Sequence, residues 1–348
     1  MKILLLSNMW PSTARPSYGG YVASLAAAVE ALGHDLEVVA TSEAGGGGVA
    51  TLRKYAELEW AARRAARRLR PDVVWAHYLV PTGSIARRLG RPYVVTAHGT
   101  DVTNAETSER LRASTAKVVA GAAAVIAVSP ELGARLERVA GSLGNRLHTI
   151  TAGVDLARFH PGDAEIAAAA LGWNAPGPRL VAVSNLVPVK NHARLLEAFA
   201  QAFGEGEGQL AVVGDGELRE ALELAALGLG IAERVRFVGS VPPSAVPAWL
   251  RAADAACLVS EREGFGLSLI EALACERPVA ASRTVPATVV ITPGCGVLCD
   301  PLDVDSIAYA LFAAVQLRPG SAARAAAAPY ALEREAARVA AVLVAAAG

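Results

Sequence analysis

The chain has 348 residues, 53% of them hydrophobic and 19% charged, with 33 basic residues set against 33 acidic ones. That length exceeds one ordinary core and predicts two domains. The composition excludes a disordered chain, and the charge balance excludes a global field that would recruit nucleic acid or an anionic membrane.

The opening MKILLLSN has too short an apolar run for a secretory leader and reads as a buried first strand. No stretch approaches 18 uncharged apolar residues, so no membrane span is expected and the expected compartment is the cytoplasm. Short apolar runs then alternate with helical stretches, the pattern of doubly wound parallel α/β layers. Strands are predicted at 2–6, 35–40, 73–76, 93–97, 124–128 and 147–151, then at 179–184, 209–213, 235–238, 255–259 and 278–280. Residues 160–179, HPGDAEIAAAALGWNAPGPR, read as a Pro- and Gly-rich linker around a short alanine-rich helix. Glycines 45–48 read as a flexible break before a helix over 52–69. On that helix Arg63, Arg64, Arg67 and Arg68 make a basic strip with two readings, a solvated face or a rest on anionic lipid. Cys257, Cys275, Cys295 and Cys299 read as reduced, packed thiols, because a CxxxC pair without companion ligands is not a metal signature.

Ligands in open α/β sheets sit beyond the carboxyl ends of strands, so the loops there hold the candidate chemistry. After the first strand, Gly19 and Gly20 open an apolar-periodic helix whose amino terminus suits a phosphate. After 93–97 comes HGTD, with His98 able to donate to a ligand hydroxyl and Asp101 beside it. After 179–184 comes NLVPVKNH, with Lys190 able to place a point charge. After 209–213 comes GDGELRE, where Arg219 occupies the place a dinucleotide fingerprint gives to its third glycine, and GFGLSL fails the same way at Leu269. Hydride chemistry on NAD is therefore disfavoured, and no ATPase phosphate loop or acyl-nucleophile elbow is present. EGFGLSLIE at 263–271 brackets an apolar stretch with two carboxylates, and on one continuous helix Glu263 and Glu271 would fall on neither the same face nor opposite ones.

The order of motifs, GGYVASLAAAVEALGH, TAHGTD, VSPEL, AGVDLARFHP, LVPVK, GDGELRE, VRFVGSVP and EREGFGLSLIEALACERPVAAS, resembles the retaining glycosyltransferases of family 4 over nearly the full chain. WPS and NL most resemble the teichuronic acid biosynthesis type and related cell-surface polysaccharide transferases. The resemblance implies the GT-B fold, two Rossmann-like domains facing across a cleft. Residues 1–165 would bind acceptor and 166–330 the nucleotide-sugar, with 331–348 crossing back to the first domain. It implies a hexosyltransferase that needs no metal or other cofactor and uses a UDP-linked donor on a glycolipid, polysaccharide or other hydroxyl acceptor. A membrane contact at the inner face would run through the arginine strip.

By the same resemblance His98, Lys190 and Glu263 are catalytic. Gly19, Gly20, Asn185, Gly214, Gly239, Gly264, Phe265, Gly266 and Leu267 contact the donor, together with Lys190 and Glu263. Asp101 and Ser129 lie on the acceptor side. The Gly-Phe-Gly break would let Glu263 hold sugar hydroxyls while Glu271 reaches the ribose diol, and Lys190 would stabilise the departing diphosphate. Two departures stand out: Asn185 where most members carry Arg, and TVPAT at 284–288 where they carry a glycine-rich loop. Alternatives are a nucleotide-sugar epimerase on the same fold and a nucleotide-sugar-binding protein with little turnover.

Overall fold

A computed structural model describes residues 1–42, 48–173, 176–204 and 207–348. Glycines 45–47 of the expected flexible break lie outside the described residues. The chain divides into two compact units, Met1–Gly153 with Leu332–Gly348, and Val154–Ala331.

The first unit runs β1 (Lys2–Ser7), α1 (Gly20–Ala31), β2 (Asp35–Ala40), α2 (Val49–Leu69), β3 (Val73–His77), α3 (Ser84–Arg88), β4 (Tyr93–Ala97), α4 (Thr100–Thr107), α5 (Glu109–Gly121), β5 (Ala124–Ala127), α6 (Pro130–Ala140) and β6 (Leu147–Thr149). All its strand pairs are parallel, in the order β2-β1-β3-β4-β5-β6. Near-continuous apolar runs such as ILLL and VVWA form these strands because a parallel sheet is covered on both faces. Alternate residues of the strands, Ile3, Leu5, Val73, Trp75, Val94, Ala124 and Ile126, share one face and pack on α1 through Leu25, Ala26 and Val29.

The second unit runs α7 (Ala164–Ala170), β7 (Arg179–Val183), α8 (His192–Ala202), β8 (Gln209–Val213), α9 (Arg219–Gly228), β9 (Val235–Gly239), α10 (Val246–Ala252), β10 (Ala255–Leu258), α11 (Leu267–Ala274), β11 (Val279–Ser282), α12 (Val285–Val290), β12 (Gly296–Cys299), α13 (Val304–Ala314) and α14 (Ser321–Ala327). Its parallel sheet has the order β12-β11-β10-β7-β8-β9. Leu180, Ala182, Leu210, Val212 and Cys257 face a layer built from α8, α9 and α13. The linker read into 160–179 lies inside this unit, with its alanine-rich helix as α7. The sequence reading missed β12: Gly296 pairs beside Val279, where a Cβ would stand 2.5 Å from the Val279 carbonyl oxygen. Glycine is required there, and it dilutes the apolar signal of a four-residue strand.

The chain then returns to the first unit as α15 (Leu332–Ala347), which lays Leu332, Ala336, Val339, Val342 and Leu343 into the core beside α1, β3 and β4. Glu335, 1% exposed, accepts hydrogen bonds from the Thr151 N–H at 2.7 Å and the Thr151 hydroxyl at 3.2 Å, and pairs with Arg338 at 2.9 Å. Gly153 lies beneath the helix start with φ +74°, and a Cβ on it would stand 2.7 Å from Leu332 Cα.

Candidate active site

In each sheet the chain winds one way from a central strand and then restarts on that strand's other side. The reversals fall between β1 and β3 in the first unit and between β7 and β10 in the second. Loops at such a point part in opposite directions and leave a crevice beyond the carboxyl ends.

In the second unit the loops leaving β7 and β10 meet at that point. Residues Pro188–Lys190 form one helical turn that Asn191 ends in the left-handed region at φ 59°. The buried Asn191 amide donates to the carbonyls of Val259 and Pro301, at 3.2 and 2.7 Å, so it ties the loop down. Glu261 N–H donates to the Val189 carbonyl at 2.9 Å and joins the two loops directly. Between them Lys190 Nζ lies 2.7 Å from Glu263 Oε1, an ion pair whose side chains are 22% and 9% exposed. The two residues assigned to sugar and diphosphate thus neutralise one another here.

The glycine break after Glu263 forms. Gly266 takes the left-handed conformation at φ 83°, ψ 50° and caps α11, which starts at Leu267. Phe265 is buried against Tyr330, ring centroids 5.3 Å apart, which anchors the turn from behind. Glu271 sits in the second turn of α11, where burial pushes its carboxyl up to about 7, with Arg158 pulling the other way. A carboxylate held this way is open to a proton near neutral pH.

The loop after β8 packs on the loop after β7. Leu186 N–H donates to the Asp215 carbonyl and Leu218 N–H to the Leu186 carbonyl, at 3.0 and 3.1 Å. Gly214, at φ +144°, has no room for a side chain, since a Cβ would stand 2.0 Å from the Ser184 carbonyl oxygen. Gly239 (φ +83°) receives the Gly214 N–H on its carbonyl at 2.9 Å. Both glycines therefore shape the rim through the backbone. Asn185 is exposed on it. Two further side chains lie here that the sequence reading passed over: His192, its imidazole pushed down to about 4 by burial, and Ser184, 3.0 Å from His192 Nε2. TVPAT forms the start of α12 rather than an extended loop, with Thr284 at its amino-terminal cap.

In the first unit the loop after β1 ends at Gly19, φ +74°, where a Cβ would stand 2.6 Å from the Met9 carbonyl oxygen, and α1 follows from Gly20. The Tyr21 hydroxyl lies 2.8 Å from that of Tyr78, which donates to Met9 Sδ at 2.8 Å. Tyr78 follows β3 with φ 74°, ψ 142°, a region that a side chain makes costly, by about 1 to 3 kcal/mol. The strain is held by its N–H on the Thr96 carbonyl at 2.8 Å and by the Thr82 hydroxyl donating to its carbonyl at 2.8 Å. His98, at the end of β4, faces Tyr78 with ring centroids 4.6 Å apart, and its Nε2 lies 3.0 Å from Nδ1 of His77. Burial pushes the His98 imidazole down to about 3. His77 and Tyr78 were missed because the end of β3 carries no glycine signature, its place at the reversal being the signal, and Tyr21 was passed over although it directly follows Gly19 and Gly20.

Asp101 and Ser129 do not stand free for an acceptor. Asp101 is 8% exposed and accepts from the backbone N–H groups of Leu79, His98, Gly99 and Val102 at 2.9–3.2 Å. Burial nonetheless pushes its carboxyl above the usual range, against those four donors. Ser129, 1% exposed, caps α6 by accepting from Leu132 N–H at 3.2 Å. The resemblance places both on the acceptor side, and in each case the side chain serves the start of a helix, which needs a cap. Among the described residues no group of three or more His, Cys, Asp or Glu could hold a metal ion.

Comparison with known proteins matches residues 19–158 to the family described as Glycosyltransferase Family 4 and residues 163–331 to that described as Glycosyl transferases group 1. The curated D-inositol 3-phosphate glycosyltransferase 2 of Catenulispora acidiphila is 38% identical over 48% of this chain and 42% of that protein. The D-inositol 3-phosphate glycosyltransferase of Geodermatophilus obscurus is 34% identical over 73% of this chain and 62% of its own. The chain thus spans roughly half the length of the curated relatives it matches. Among solved structures, sucrose-phosphate synthase of Thermosynechococcus elongatus superposes with TM-score 0.83 over 97% of each chain at 22% identity. Anabaena HepE in complex with UDP and glucose gives 0.79 over 99% of each at 20% identity. These likenesses show the GT-B fold class.

Proposed function

We propose, because the chain belongs to the glycosyltransferases of family 4 and group 1, that it transfers a hexose from a UDP-linked donor to a hydroxyl acceptor with retention of configuration and without a metal. The observation that carries this reading is the Lys190–Glu263 pair at the reversal of the second sheet, with Glu271 behind the glycine break. On donor binding Lys190 turns from Glu263 to the diphosphate, and Glu263 becomes free to accept two sugar hydroxyls. Glu271 accepts the ribose diol, and the amino end of α11 faces the phosphates between. In the chemical step the bond from anomeric carbon to phosphate oxygen breaks. The acceptor oxygen bonds to that carbon on the same face, and its proton passes to the leaving phosphate. Lys190 stabilises the charge developing there, the kind of preorganised interaction that lowers such barriers most. Asn185 supplies no charge, which leaves Lys190 and the helix terminus to carry it.

The test is release of free nucleotide from a panel of UDP-, GDP- and ADP-sugars, with D-inositol 3-phosphate as the first acceptor because the curated relatives bear that name. Acceptor-dependent release of UDP supports the reading. No release from any donor with any acceptor overturns it in favour of a binding protein.

The surface of α2 supports a second contact. Arg63 is paired with Glu59 at 2.6 Å and Arg68 with Glu37 at 2.5 Å, so half the arginine strip is neutralised. Arg64 lies over Trp60, which is 65% exposed, and Leu52 and Val49 are exposed on the same helix. We propose that this face rests on anionic lipid with Trp60 inserted. Flotation with phosphatidylglycerol vesicles checks it: Trp60→Ser is expected to abolish binding, and a wild type that stays at the bottom removes the idea.

A further inference from the structure

His98 is one of a pair. Its ring Nε2 and the Nδ1 of His77 are 3.0 Å apart, and the two rings lie nearly parallel, 21° between planes. A nitrogen-to-nitrogen hydrogen bond between two neutral imidazoles uses one proton, so only two arrangements exist. Either His77 donates from Nδ1 and His98 keeps its own proton on Nδ1, or His98 donates from Nε2 and His77 keeps its proton on Nε2.

The surroundings of His77 choose between them. Its Nε2 is buried and has no hydrogen-bond partner among the described residues. Beside the pair lies a cavity of about 10 Å³ lined by Tyr21, His77, Thr96, His98, Ile150 and Thr151, at the lower limit for one water. The Thr96 hydroxyl there already accepts from Trp75 Nε1 at 3.0 Å. A proton on His77 Nε2 would be a buried N–H without an acceptor, a situation folded proteins nearly always avoid, whereas a bare lone pair is left unmet more often. The proton therefore belongs on His77 Nδ1, inside the bond to His98.

We propose that His77 is a positioning residue that locks His98 in the tautomer protonated on Nδ1, so that His98 offers a ligand a hydrogen-bond donor and never an acceptor. This rests on the reading of His98 as a catalytic residue able to donate to a ligand hydroxyl, and it goes further by fixing Nδ1 as the ring atom that donates. The histidine side chain in water favours the other tautomer, protonated on Nε2, so the lock has to be built. Burial, which holds both imidazoles well below their usual pKa, keeps the pair neutral across the physiological range.

The experiment is long-range ¹H–¹⁵N correlation spectroscopy on protein labelled at its six histidines, with His98 identified from the peaks lost in His98→Asn. The expected wild-type spectrum shows His98 with a protonated Nδ1 and bare Nε2, His77 likewise, and a scalar coupling between His77 Nδ1 and His98 Nε2 across the bond. In His77→Phe, which keeps a flat ring but no donor, His98 is expected to shift to the Nε2-protonated form. A wild-type His98 protonated on Nε2, or a His98 whose tautomer is unmoved by His77→Phe, overturns the proposal. Should His77→Phe fail to fold, the wild-type tautomer and the coupling decide alone. No donor or acceptor enters these spectra, so a failed transferase assay leaves them informative. If both hold, His77→Phe lowers kcat/KM about tenfold, the worth of one misdirected hydrogen bond.

Discussion

Two carboxylates eight positions apart carry different chemistry because their surroundings differ. Glu263 is held by Lys190 at 2.7 Å, whereas Glu271 has no ion pair among the described residues and burial, against the pull of Arg158, pushes it up to about 7. A ribose diol donates to the ionised form, so affinity for UDP-glucose, whose phosphates do not titrate near neutrality, should weaken as pH falls from 8.5 through 7 to 6. Calorimetry across that range checks it: Glu271→Gln is expected to bind more weakly and with a flat profile, and a wild type with a flat profile sinks the ribose role. Lys190→Ala should lower kcat by more than it raises the dissociation constant, as expected of a group acting on the departing phosphate. Equal losses would make it a docking contact. The sequence pointed to Glu263, Lys190, Glu271 and His98 because each follows a strand or a glycine turn. It could not show that Lys190 and Glu263 touch, since 73 positions separate them, nor that His77 and Tyr78 complete the cluster around His98, because contacts between loops of different strands leave no local pattern.

Eleven of the twelve strands among the described residues were legible as short apolar runs, and in eight of those eleven a bound moved by one or two residues, because strand ends are set by hydrogen bonding rather than by side-chain type. The exception, β12, depends on a glycine fitted against Val279. The start of α11 at Leu267 was equally legible, since Gly266 is a residue able to take the left-handed cap. At the end of β8 the same reasoning gives a sharp expectation. Gly214→Ala puts a Cβ into the Ser184 carbonyl and a side chain at φ +144°, so it should dislodge the β7 loop that carries Lys190. Loss of UDP-glucose binding with retained far-UV circular dichroism would show it, and unchanged affinity would refute it. On α15, Glu335→Ala leaves the Thr151 N–H without its buried acceptor, while Arg338, 48% exposed, turns to water, so the loss should be about 2 kcal/mol. A urea midpoint within error of the wild type would mean that water replaces the carboxylate.

Across the whole molecule the buried imidazoles make folding sensitive to acid. His77, His98 and His192 all titrate below the usual value of about 6.5, the last two at about 3 and 4. The unfolded chain therefore binds more protons below 6.5, so stability is present above that pH and is lost as pH falls towards 4. From pH 7.5 to 5.5 His98 and His192 cost about 3 kcal/mol together, with His77 acting in the same direction, and Glu271, raised to about 7, returns about 2 by binding its proton in the folded state. A net loss of at least about 1 kcal/mol is expected in urea unfolding, and equal midpoints at the two pH values would contradict it. The two-unit architecture was legible from the alternation of strands and helices, and the return of α15 to the first unit has a consequence for biosynthesis. The first six strands leave the ribosome with the bed for Leu332, Val339 and Leu343 still open. That apolar face stays uncovered while the entire second unit is translated, an interval on the order of ten seconds or more. A nascent chain stalled before Leu332 should therefore be cut rapidly by protease in its first half and bind holdase chaperones. Release of the final helix would then act as the signal that ends this vulnerable period.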